Sequence, residues 1–462
     1  MPDISEIVDV TISVQSSAIT RVGFDSILIN GNGGTGTNDG DFNAGFAEFE
    51  VRKYTSLEGL IGDVDAGLIK PNSEVVNLAT AIFAQIPAVP TVFVSRTDEG
   101  TPVAQVSQLE YFTVPFVTGQ SIEVSIDGVE IAGSPIAFNV LGSDDTMADI
   151  ATAIQAEAGV TSAISVTIGG GANENGIIIT GATPGDSFQV TSNVMTGAVV
   201  DESITATITT AAADTLPTSA INSILANDNT WFGYVHSFVG NTNAETAAAS
   251  LAANKKYGGF KFSSASSMPN LGTNYSFSMV NQSADATKKN GQAAWLSTML
   301  GREVGSYNPA YLSLEVTDAS VLSATDEALL RAGYGNQYSE IGGRDVTYDG
   351  KAGNGGWIDT YINVLWLEAR IQEDIFALMA AKDKVPFTDE GIGLITNELS
   401  KRLQIAEDMG VLTASPKFVI TAPLASDVPA ADKSNRLLTG ITFTAYTAGA
   451  VNLVQINGTL VD

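Results

Sequence analysis

The 462-residue chain has no cysteine and a single histidine, His236. Without thiols there is no disulfide framework, thiolate nucleophile, iron–sulfur cluster or cysteine-ligated zinc, and one histidine cannot build a histidine cage around a metal. Positive charge is scarce as well: 22 Lys and Arg stand against 51 Asp and Glu, a net charge of −29. Such a surface repels phosphates and anionic lipids, so neither nucleic acid nor a membrane surface is an expected partner; other proteins are. Between Thr97 and Asn254 there is no Lys or Arg at all, while 17 acidic residues fall there. Long apolar runs are missing too. The most hydrophobic stretch, Trp357 to Ala381, carries Asp359, Glu368, Arg370, Glu373 and Asp374, too many charges for a membrane span. The opening Met1-Pro2-Asp3-Ile4-Ser5-Glu6 is acidic where a secretory leader is basic and then apolar.

What is present is a folded protein. An apolar share of 44% rules out a disordered chain, and at roughly 100–200 residues per domain the length allows two to four domains. In the middle segment, Ile122 to Ile126, Ile164 to Ile168 and Ile204 to Ile208 alternate apolar with polar residues, the period of half-buried strands. Asp127-Gly128 marks a hairpin and Thr183-Pro184-Gly185-Asp186 a turn. One helix is predicted after Asp144-Asp145-Thr146, which supplies a cap, with Met147, Ile150 and Ile154 on one face. Residues 101–222 therefore read as a β-rich domain inserted into something else, and the missing positive charge suggests that it faces outward.

The flanks read as α/β. A strand at Ser26 to Asn30, a helix at Ser73 to Ala84 and a strand at Thr91 to Ser95 precede the middle segment. A strand at Trp231 to Phe238, a helix at Ala244 to Tyr257 and a strand at Gly259 to Phe262 follow it. This alternation implies a sheet covered by helices. Two further helices are predicted: Ile358 to Ala381, with apolar residues spread over much of its circumference, and one capped by Thr388 that stops at Gly410, with Pro386 breaking the chain between them.

The ends carry orphan strands. Val8 to Gln15 alternates without error, placing Val8, Val10, Ile12 and Val14 on one face, with no hairpin partner beside it. Ile441 to Thr444 and Val451 to Leu460 read as two strands joined through Thr447-Ala448-Gly449, the second carrying Val451, Leu453, Val454 and Ile456. An unpaired strand leaves backbone donors and acceptors open. Either both ends pair within their own sheet, or one or both extend the sheet of a neighbouring subunit.

Candidate chemistry is thin. Gly31-Asn32-Gly33-Gly34-Thr35-Gly36 matches a dinucleotide-binding pattern, but Asp39 and Asp41 follow instead of a helix, so a surface loop is the expectation. Asp39 with Asp41, or Asp144 with Asp145, lack the ligand spacing of a calcium loop. His236 lies in a strand with aromatic alternate positions, and no nucleophile elbow accompanies it. No catalytic, cofactor-binding or metal-binding residues are assigned, and no enzyme is expected.

The order of features resembles the tail sheath proteins of contractile-tailed bacteriophages. The resemblance rests on Trp357-Ile358-Asp359 leading into Leu365 to Gln372, then Lys384 to Ile392, and the closing Val454 to Leu460, with Ser5 to Val10 and Arg52 to Leu57 similar to the N-terminal part of one branch. It covers roughly residues 1–100 and 225–462. It implies a mixed α/β sheath core with an inserted domain and extended terminal strand arms: an N-terminal arm at 1–22, core at 23–100 and 223–438, the insertion at 101–222, and a C-terminal arm at 439–462. It further implies a structural subunit, without cofactor, that stacks as hexameric rings around a tail tube and shortens to drive the tube through a host envelope. Its partners would be itself, the tube, the baseplate and the tail terminator. Its place would be the virion, after assembly in the host cytoplasm. Lys401 and Arg402 are candidates for facing the tube, and Gly23, Gly31 to Gly36 and Gly449 for arm hinges. A gain of about 1–3 kcal/mol per subunit, summed over a lattice, would supply the work, making the extended state a kinetic trap. Two rivals remain: an acidic surface-displayed adhesin or glycan-binding protein, and a carbohydrate-active enzyme using paired carboxylates.

Overall fold

The run Ile27-Leu28-Ile29 is fully buried, as a strand in the middle of a parallel sheet must be when helices cover both its faces. A computed structural model describes residues 23–34, 40–99, 106–110, 119–126, 129–130, 134–137, 164–168, 176–181, 189–210 and 216–455. They fall into two compact units, one of residues 25–301 with 311–356, the other of Phe24, 302–310 and the chain from Trp357 onward.

The first unit is built on an eight-stranded sheet. Its strands are β1 (Ser26–Asn32), β2 (Val51–Tyr54), β3 (Thr91–Thr97), β4 (Gly233–His236), β5 (Tyr257–Phe262), β6 (Ser276–Val280), β7 (Asn336–Ile341) and β8 (Arg344–Tyr348). The spatial order is β8-β7-β6-β5-β4-β1-β3-β2. The pairs from β7 through to β3 are parallel, and β2 and β8 close the two edges antiparallel. Helices α1 (Leu57–Asp65), α2 (Glu74–Phe83), α3 (Ala220–Asn227), α4 (Asn241–Ala253), α5 (Gly291–Leu300) and α6 (Ala324–Ala332) connect them. Leu28, Phe93, Tyr234 and Phe260 face Ile221, Ile224, Ala247, Ala248 and Leu251 of α3 and α4. On the opposite face α2 and α5 pack together, Ser297 Oγ donating to the Ile82 carbonyl over 2.8 Å. All ten residues of α5 are buried, the polar Gln292, Ser297 and Thr298 included. Ser73 caps α2, its hydroxyl accepting from the Val76 amide.

Between β3 and β4 the chain runs through strands that pair antiparallel and only with one another among the described residues. Strands 199–205, 190–196, 120–126 and 129–130, with 136–137 beside 120–126, form one sheet, and 207–210, 106–110, 176–181 and 164–168 another. The predicted single strand Ile204 to Ile208 is divided between them. It leaves the first sheet at Thr205, spends the Ala206 amide on the Val190 carbonyl, and enters the second at Thr207. Ile126 pairs with Val129 on either side of Asp127-Gly128. The helix predicted from Asp144, the Thr183–Asp186 turn, and the strand carrying Val8, Val10, Ile12 and Val14 lie outside the described residues.

Residues 31–34 of the glycine-rich segment are not the surface loop expected of them; residues 35 and 36 lie outside the described residues. Gly31 and Asn32 belong to β1, Gly33 and Gly34 are buried, and a Cβ on Gly31 would run into the Phe42 ring and a Val75 methyl. That close packing leaves Gly31 no freedom to act as a hinge.

The second unit contains α7 (Ile358–Ala381), α8 (Asp389–Asp408), β9 (Val419–Thr421), α9 (Ala430–Ser434) and β10 (Thr442–Thr444). Both long helices have the predicted bounds. Thr388 caps α8, its hydroxyl accepting from the Gly391 amide at 3.2 Å, and Gly410 ends it at φ +81°.

Candidate assembly surface

An ion pair joins α7 to α8. Arg402 Nε donates to Asp374 Oδ2 at 2.5 Å, and its guanidinium carbon lies 5.7 Å from the centre of the Trp366 ring. Arg402 is 7% exposed, so its charge is spent inside its own chain. This corrects the expectation that it faces a partner. Its neighbour Lys401 does point to solvent and pairs with Glu398 at 3.0 Å. The helical spacing carried the signal: Arg402 follows Leu399 by three residues and Ile395 by seven, on the apolar side, while Lys401 falls opposite. Nearer the middle of α7, Arg370 pairs with Glu373 at 2.6 Å and lies over the Phe24 ring at 5.5 Å.

Burial on α7 is confined to its first half. Ile358, Asp359, Ile362, Asn363, Leu365, Trp366 and Leu367 are buried, and nothing beyond Leu367 is. The expected burial over much of the circumference therefore fails for the second half, where Phe376 and Met379 are exposed.

Beyond α8 the described residues form a two-stranded ribbon. Val419, Ile420 and Thr421 pair antiparallel with Thr444, Phe443 and Thr442. The predicted terminal hairpin is thus replaced: Thr442–Thr444 takes β9 as its partner, and residues 451–455 form no strand. The Thr447–Gly449 link is a tether to the end of α8 instead of a hairpin turn. Leu412 bridges to Thr447, the Ala448 amide donates to the Val411 carbonyl at 3.1 Å, and the Thr413 amide donates to Tyr446 at 2.8 Å. Asn308 then donates to Asn452 Oδ1 at 2.8 Å. The buried Asp359 carboxyl, its pKa raised by that burial, accepts from the Ala450 amide. On either side of Asn452 the apolar side chains are bare: Val451, Leu453 and Val454 are 73%, 81% and 76% exposed. Ile456 lies outside the described residues. A three-residue β9 gave no readable periodicity, so sequence reasoning missed the partner of β10.

Elsewhere the candidate chemical groups are parts of the core. His236 is packed among Tyr234, Phe238 and Phe260, its Nδ1 has no hydrogen-bond partner among the described residues, and burial pushes its pKa down to about 3. The adjacent Ser237 hydroxyl donates to Asp41. Asp41 also accepts from the Asn32 amide at 3.1 Å and the Glu74 amide at 2.8 Å, tying the ends of β1 and β4 to the start of α2. Burial raises its pKa. Among the described residues no three His, Asp or Glu side chains gather as metal ligands, and no helix is long and apolar enough to cross a membrane.

Known proteins match part of this architecture. Residues 358–417 match a family model described as E217 tail sheath protein gp31-like, C-terminal domain. A chain of the anti-feeding prophage baseplate, solved by electron cryomicroscopy with sixfold symmetrisation, is similar at 12% identity and a TM-score of 0.43, over 53% of this chain and 72% of that one. A chain of the PVC sheath complex of an extracellular contractile injection system, in its contracted state, is similar at 10% identity and a TM-score of 0.43, over 53% and 75%. No curated protein matches the sequence. Over residues 358–417, the helix pair and the start of the segment beyond it, the chain is similar to the C-terminal domain of a tail sheath protein, and the resemblance read from its residues is borne out there.

Proposed function

We propose that the protein is the sheath subunit of a contractile phage tail, stacking as hexameric rings around a tail tube and contracting to drive the tube through the host envelope. The family match over α7 and α8 carries this reading. The two-stranded β9–β10 ribbon supports it: a ribbon this short is marginal alone, and neither outer edge pairs with another strand among the described residues, so both can take a further strand. On this reading residues 1–22 are an arm that adds to the sheet of a neighbouring copy. The C-terminal arm begins after Asn452 instead of at residue 439, because the chain before it is anchored to its own unit. The strands between β3 and β4 belong to an outward-facing inserted domain at 101–222, and the core comprises 23–100 and 223–438. Lys401 faces the tube, and baseplate and terminator proteins bound the lattice. The subunit works without catalysis or cofactor, in a virion assembled in the host cytoplasm.

Negative-stain micrographs of the purified chain should show rings or tubes. Deleting residues 1–15 should leave a folded protein that stays dispersed. A full-length chain that remains monomeric at every concentration, or a deletion that unfolds the core, would refute the arm assignment.

A further inference from the structure

Three side chains from distant parts of the first unit converge where β5 meets the starts of α2 and α5. Lys261 Nζ donates to Asn290 Oδ1 at 2.8 Å and also to the Glu74 carboxylate. Asn290 is fully buried, and its Nδ2 has no hydrogen-bond partner among the described residues. Buried amide donors are almost always satisfied, so this nitrogen is the one group in the cluster that the fold leaves without a role. The lysine side chain is 27% exposed and the glutamate 15%, so the amine is largely sheltered from water.

We propose that Lys261 and Asn290 are joined by an intramolecular isopeptide bond, formed spontaneously with Glu74 as the proton-transfer group. The amine is a nucleophile once deprotonated, it already lies in hydrogen-bond contact with the carboxamide it would attack, and a carboxylate touches the proton that must leave. Glu74 takes one proton from the Lys261 ammonium. The Nζ–Cγ bond forms, Nζ gives up its second proton through Glu74 to Nδ2, and the Asn290 Cγ–Nδ2 bond breaks; the nitrogen leaves with the proton Glu74 first took, as ammonium, and Glu74 ends as the carboxylate it began as. Nothing is oxidised or reduced, and no co-reactant is needed. The departing atom is the unsatisfied Nδ2, so the reaction removes the orphan donor.

The electrostatics of Lys261 favour the first transfer, while those of Glu74 make it a weak base that holds the proton only briefly. Burial lowers the pKa of Lys261, although Glu74 opposes it. Burial acts to raise the pKa of Glu74, but Lys261 and then Lys289, at 3.5 Å, outweigh it and keep the carboxylate charged and able to accept. The product is a covalent staple between β5 and the N-terminus of α5, closing the chain from residue 261 to 290. This inference does not depend on the sheath reading.

Intact-mass measurement of the full-length protein should give a mass lower than that of the sequence by one ammonia. Tryptic digestion should then yield a branched peptide in which 257–288, uncut at Lys261, is joined to 290–302. Asn290-Gly291 could lose ammonia by cyclising to a succinimide, so Lys261→Arg is the discriminating variant: it should abolish both the mass loss and the branched peptide. Glu74→Gln should retain all three side-chain positions and lose most of the cross-linked fraction. A wild-type mass equal to that of the sequence, with 257–261 and 290–302 recovered as separate linear peptides, would overturn the proposal. So would a mass loss that survives in Lys261→Arg.

Discussion

Replacing Arg402 by methionine removes the cation that fastens α7 to α8 while keeping most of the apolar stem that lies against Trp366. Both side chains of the pair are close to buried, at 8% and 11% exposed, with 2.5 Å between Nε and Oδ2. Deleting one member therefore strands the other away from water, which costs about 3 kcal/mol. For a unit of this size that lowers the unfolding midpoint by on the order of 10 °C. The damage comes from the stranded carboxylate, so Asp374→Asn in the same chain should recover part of it. A thermal or urea double-mutant cycle, followed by the near-ultraviolet signal of the Trp366 environment, measures the coupling. It should be at least about 1 kcal/mol. A single variant within about 0.5 kcal/mol of wild type, or strict additivity, would show that the bridge is a surface contact and that the packing of α7 on α8 does not rest on it.

Three other outcomes follow from the same structure. His236 has a folded pKa of about 3, held below the ordinary 6.5 by burial and then by Lys261. Its contribution is intact above pH 6.5 and is lost as pH falls toward 3, with a slope of about 1.4 kcal/mol per pH unit. His236→Phe should flatten the stability–pH curve in that window while leaving stability at pH 7.5 within about 1 kcal/mol; a curve of unchanged slope would mean that the ring is already solvated. Gly31→Ala should destabilise by about 1–3 kcal/mol through collision with Phe42 and Val75. Gly449→Ala, where an added carbon meets nothing within 4 Å, should stay within about 0.5 kcal/mol, and equal effects in chemical denaturation would contradict the packing at β1. Truncation after Asn452 should leave the unfolding midpoint unchanged while reducing polymer formation in sedimentation.

Elements with strong local signals were legible in the sequence. The unbroken apolar run of β1, the Ser73 cap of α2 and the bounds of α7 and α8 are stated by residue type and spacing alone. The β7–β8 hairpin was missed although its signal was present: Gly342-Gly343 turns at φ +62° and +80° between two alternating runs. Burial was harder to read than periodicity. The apolar residues of α7 continue past Leu367, but only tertiary packing decides that Phe376 and Met379 remain outside. Pairing was harder still. The partner of Thr442–Thr444 lies more than twenty residues upstream in a three-residue strand, and no local pattern encodes a contact at that distance. Asp41 read as half of an acidic pair, and its three donors come from parts of the chain far apart in sequence.

The position of β1 between β3 and β4 has a consequence for biosynthesis. One of its neighbours lies some sixty residues downstream and the other about two hundred. A nascent chain can pair β1 with β3 early, but the opposite backbone edge stays open until residue 236 has cleared the ribosome tunnel. Throughout that interval an apolar parallel edge is available to other nascent chains. Shortening the segment between β3 and β4 to a tight linker should speed folding by lowering the loop-closure entropy, and should raise the soluble yield at high expression rates.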